Sequence, residues 1–188
     1  VLCVAALAGC VMPTEQAPVS TGPAVQSAPR VSANQAARQF ISVVDTVEPV
    51  AERLCRQKAQ TANCDFQIVV DDRPGQPPNA FQTLDKSGRP VVAFTLALIG
   101  EARNADELAF VMGHETAHHI AGHIARQQQN AATGAVIFAG LAALTGADAS
   151  GLESAQRLGA AVGARTYSKD FELEADALGT IIAKRAGY

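Results

Sequence analysis

The sequence predicts a predominantly helical α+β domain with a small antiparallel sheet. Apolar residues recur at helical spacing in the first third of the folded part, and again around residues 104–120 and 168–183. Three short runs rich in β-branched and aromatic residues lie between them, separated by Gly, Pro and Asp. Of the 188 residues 48% are hydrophobic and 18% charged, the balance of a chain that can bury a core. A net charge of −3 with no basic cluster gives nucleic acid nothing to bind.

Residues 1–10, Val-Leu-Cys-Val-Ala-Ala-Leu-Ala-Gly-Cys, have the apolar character of a secretory leader without its basic start. The alternative for them is a buried N-terminal helix or strand. The run is too short to span a membrane. Its end, Leu7-Ala8-Gly9-Cys10, resembles the bacterial lipobox. That resemblance implies lipid on Cys10, attachment to a membrane, and, with Val11 next, sorting to the periplasmic face of an outer membrane. Residues 11–34 are rich in Pro, Ser, Thr, Gln and Ala without periodicity, and are expected to be a flexible tether to a domain over 35–188. Cys55 and Cys64 are then left over. In an exported chain such a pair is expected to form a disulfide, contributing about 2–3 kcal/mol in the chain-entropy model.

Along the domain, Ala37, Phe40, Ile41, Val44, Val47 and Leu54 predict an amphipathic helix from Asn34 to about Ala62, broken near Pro49. Phe66–Val70 is a predicted strand. Ala80–Leu84 and Pro90–Phe94 are expected to form a hairpin through Asp85-Lys86-Ser87-Gly88. Asn104 caps the next helix, with Glu107 completing a capping-box pattern. Ala131–Leu144 is small and apolar, and short for a span; core or interfacial packing is expected of it. A last helix is expected from Ser168 towards Ala183.

The chemistry is concentrated at His114-Glu115-Thr116-Ala117-His118. Imidazoles four residues apart on a helix share a face and can reach one Zn²⁺. The carboxylate beside the first is placed to accept a proton from an attacking water. His119 and His123 fall on other faces and are expected to be ordinary helix residues. Gly122 and His123 each miss by one the register of a three-histidine site, so the third ligand should be acidic. Candidates are Glu153, Asp170, Glu172, Glu174 and Asp176. Glu172 and Asp176 share a face and could supply a ligand and a carboxylate that orients a ligating imidazole, whereas Glu174 points away to solvent.

These residues resemble the M48 family of zinc metallopeptidases over about residues 35–188. The resemblance is carried by Asn79-Ala80-Phe81, by residues 102–109 leading into His114–His118, and by Glu172-Leu173-Glu174-Ala175-Asp176. It implies a zincin-like domain with its zinc site on two helices: His114, His118 and Glu172 as ligands, Glu115 as catalytic base, and Asp176 behind a ligand. It further implies a sheet edge that takes an unfolded polypeptide as an added strand, and a metalloendopeptidase acting on misfolded or unassembled envelope proteins. The other readings are a weakly active or latent member serving as a chaperone-like assembly factor, and a structural lipoprotein with accidental histidines. Asp85-Lys86-Ser87-Gly88 replaces the family's Pro-Gly-Gly, Lys169 stands where Arg is common, and relatives continue beyond Tyr188, so a trimmed C-terminus is expected.

Overall fold

A computed structural model describes residues 32–188 apart from Tyr167. The leader, its Cys10 and most of the tether lie outside the described residues. Helix α1 (Ala33–Lys58) is capped by Ser32, whose hydroxyl accepts from the Gln35 amide. It buries Ala36, Phe40, Val43, Val47, Val50, Ala51 and Leu54, a stripe at three- and four-residue steps. The helix is not broken at Pro49 as the sequence predicts. Pro49 and Asp45, whose carbonyl loses its partner, both face solvent, where water can bond that carbonyl while the buried stripe continues past. At its C-terminal end Cys55 is joined to Cys64 in a disulfide, with Cα atoms 5.7 Å apart.

Strands β1 (Gln67–Asp71), β2 (Ala80–Leu84) and β3 (Pro90–Thr95) form a sheet in the order β1-β3-β2. The expected hairpin is present, with Leu84 opposite Pro90 and Ala80 opposite Phe94. Its turn is organised by Asp85, which accepts from the Ser87 amide and hydroxyl at 2.7 Å and from the Arg89 amide at 2.9 Å. The sheet is mixed, however, not antiparallel: β1 runs parallel to β3. The segment between β1 and β2 carries the chain across the sheet, so β3, the most apolar strand, takes the centre. β3 is buried nearly throughout, while β1 and β2 are half-exposed edges.

Thr95 ends β3 and caps a short helix that the sequence reading leaves unassigned, α2 (Leu96–Glu101). Its buried hydroxyl accepts from the Leu98 and Asn79 amides. This pins the start of β2 beside the start of α2. Helix α3 (Ala105–Ile120) begins as the sequence predicts, with Asn104 accepting from the Glu107 amide at 2.9 Å. The reciprocal half of the box is displaced by one residue, since the Glu107 carboxylate takes the amide of Arg103.

α3 packs between α1 and α6 (Ser168–Ala186), and with the sheet they enclose the core around Val43, Val47, Phe66, Phe94, Leu108, Met112 and Ile182. α3 and α6 meet where two glycines face each other. A Cβ on Gly113 would stand 2.6 Å from the Gly179 carbonyl oxygen, and one on Gly179 2.7 Å from the His114 amide nitrogen. Only residues without side chains allow that approach.

The remaining helices, α4 (His123–Leu144) and α5 (Ala149–Arg165), form a hairpin that the sequence does not reveal. They pack on each other through Gly134, Gly159 and Gly163. Residues 131–144 are therefore not core. Val136 is 73% and Leu144 86% exposed, and Ile137 and Leu141 are also open to solvent. No helix among the described residues is long and apolar enough to cross a membrane.

Candidate metal centre

His114, Glu115 and His118 lie on α3 close to its contact with α6. That contact brings the far helix within reach. The His114 Nδ1 donates to Asp176 Oδ1 at 2.9 Å, which turns its Nε2 towards His118. The two Nε2 atoms are 2.9 Å apart, and Glu172 Oε2 lies 3.3 Å from the first and 3.7 Å from the second. A tetrahedral Zn²⁺ with bonds of about 2.0–2.1 Å holds its ligand atoms about 3.3 Å apart. The three separations of 2.9, 3.3 and 3.7 Å straddle that value, so this donor set fits the ion. All three donor atoms lie within 4.8 Å of one another.

Electrostatics favour the same use. Burial holds the His118 pKa below the ordinary imidazole value, helped by His114, so the neutral ligating form dominates near pH 7. Glu115 stands beside the cluster. Its pKa is raised, first by burial and then by Glu172, while His114 and the Gln82 amide pull the other way. These groups line a cleft of about 330 Å³ whose opposite wall is Ala80, Phe81 and Gln82 of β2. A second hollow, walled by Pro78, Leu98, Phe110 and Val111, opens on the other side of His114 and Glu115.

The other acidic candidates lie elsewhere. Glu153 is paired with Arg157 on the exposed α5, and Asp170 is exposed on the first turn of α6. His119 is turned away from the cluster. Its Nε2 donates to the Asn63 carbonyl at 2.7 Å, its ring meets Phe66 edge-on, and burial lowers its pKa. The Cys55–Cys64 disulfide fixes the residue next to that carbonyl.

Two expectations are corrected. Glu174 is not merely solvated. It accepts from Arg126 at 2.7 Å and from His123 at 3.1 Å, and these bonds, Arg126 first, lower its pKa. His123 is buried against His118, their Nδ1 atoms 2.9 Å apart. Extrapolating the period of α3 puts it on another face, but Gly122 adopts φ 67° and restarts the helix in a new direction. Glycine just past a periodic stretch is the sequence signal for such a stop.

Two imidazoles one helical turn apart, a carboxylate from a second helix and a half-buried glutamate at one cleft are the donor set and base that a metallopeptidase requires. The family model for peptidase family M48 matches residues 41–188, and the chain belongs to that family. Its members are typically zinc-dependent. No curated protein and no solved structure matches the chain.

Proposed function

We propose that the protein is a zinc-dependent endopeptidase of the bacterial cell envelope that cleaves unfolded or misassembled polypeptides. The observation that carries this reading is the convergence of His114, His118 and Glu172 beside Glu115, beneath the edge of β2. Bound zinc supplies Lewis acidity there, polarising a carbonyl and lowering the pKa of water towards about 7. Glu115 accepts the proton of the attacking water and delivers it to the leaving amine. Asp176 fixes the tautomer of His114 by accepting a hydrogen bond from its Nδ1–H.

The sheet supports the substrate class proposed. β2 pairs with β3 on one side, and the amide of Gln82 faces Glu115 on the other. A peptide laid along that edge continues the sheet and passes the ligand cluster. Such docking requires an extended chain, which a folded protein does not offer. The hollow between Leu98, Phe110 and Val111 suits an apolar side chain near the scissile bond. The test is digestion of casein against a folded globular protein, with zinc measured in the same preparation. Stoichiometric zinc and cleavage of casein alone are expected. A zinc-free protein, or equal cleavage of both substrates, would sink the proposal.

The location rests on sequence. The lipobox-like Leu7–Cys10 supports a lipid anchor, and the Cys55–Cys64 disulfide suits an oxidising compartment. Metabolic labelling with a tagged fatty acid is expected to mark the full-length protein and not its Cys10→Ser variant; equal labelling of both would refute the anchor.

A further inference from the structure

We propose that His123 is a positioning residue for the ligand His118, joined through it to Glu174 and Arg126 in one fixed order of protons. The inference rests on the zinc site proposed above and extends it to a second helix junction. His123 is the first residue of α4 and the only one of that helix that is buried, 4% exposed. Its ring is stacked on Phe171, with centroids 4.5 Å apart and planes inclined by 14°. Both ring nitrogens are engaged: Nδ1 with His118 Nδ1 at 2.9 Å, Nε2 with Glu174 Oε2 at 3.1 Å. The same Oε2 takes Arg126 at 2.7 Å.

Proton placement follows from these four contacts. His118 directs Nε2 at His114 and Glu172, so in a ligating His118 that nitrogen is bare and the proton sits on Nδ1. The Nδ1–H must donate to His123 Nδ1, which therefore accepts. A neutral His123 then carries its proton on Nε2, where the Glu174 carboxylate receives it. The Arg126 guanidinium, which also lies 4.4 Å over Phe171, balances the charge. The reverse order would leave a hydrogen on His118 Nε2, pointing at the other ligands. Each histidine ligand is thus held by its far nitrogen: His114 directly by Asp176, and His118 through a second imidazole. Such partners fix the ring plane and the tautomer of a ligand.

The test compares zinc affinity by chelator competition in wild type, His123→Phe and His123→Gln. Phe keeps a ring against Phe171 but offers no acceptor, and is expected to weaken zinc binding about 10- to 100-fold. Gln offers a carbonyl to accept and an amide to donate, and is expected to recover part of the loss. Circular dichroism of the metal-free proteins separates misfolding from loss of the ligand's support. In zinc-loaded wild type, ¹⁵N spectra are expected to report His118 protonated at Nδ1 and His123 at Nε2. An affinity within about twofold of wild type for the Phe variant, a Gln variant no better than Phe, or the opposite tautomer of His123 overturns the proposal. If wild type takes up no zinc, the zinc reading itself falls and takes this one with it.

Discussion

Replacing Glu115 by Gln is expected to slow cleavage of an unfolded substrate by at least about 10²-fold while zinc content stays at the wild-type level. The two effects separate because Glu115 stands beside the donor set and is not part of it. Gln keeps the shape and the contact with β2 but cannot take a proton. The pH profile gives a second readout. A base works in its ionised form, so activity falls as pH drops through the pKa of Glu115. Burial pushes that pKa above the ordinary carboxylate value and a bound cation pulls it down, so the position of the acid limb measures their balance. The limb attributed to Glu115 should vanish in the variant. A Gln variant that cleaves as fast as wild type would leave Glu115 without a catalytic part.

Glu172→Ala is expected to have the larger effect on the metal. It removes the only carboxylate in the donor set and leaves two imidazoles on one helix. Zinc affinity should fall by more than the roughly 100-fold that losing an orienting partner can cost, and cleavage should become undetectable. Glu174→Ala is the informative comparison. Glu174 lies two residues away and reaches the centre only through His123. Competition titrations of the two variants rank them directly, and greater zinc loss from Glu174→Ala would reverse the assignment of ligand and support.

What local pattern determines, the sequence reveals. The cap at Asn104, the shared face of His114 and His118, the i, i+4 pairing of Glu172 with Asp176 and the Asp85 turn all depend on residues a few positions apart. The sequence is misleading where distant parts decide. Pro49 stays helical because it and Asp45, whose carbonyl it leaves without a partner, face solvent, which depends on which side of α1 the core occupies. β1 pairs with β3 because the central position goes to the most apolar strand, whatever the chain order. Ala131–Leu144 has the composition of a core segment, and only the isolation of the α4–α5 hairpin shows that its apolar side chains stay outside. His123 was hidden by a single left-handed glycine.

The close approach of Gly113 and Gly179 bears on when the donor set is complete. Glu172 reaches the histidines only after α6 has docked at backbone distance on α3, with a whole helical hairpin lying between them in the chain. Without that docking, α3 alone offers two imidazoles and no third donor. On the function proposed above, hydrolytic capacity therefore belongs to the docked pair of helices and to neither helix alone.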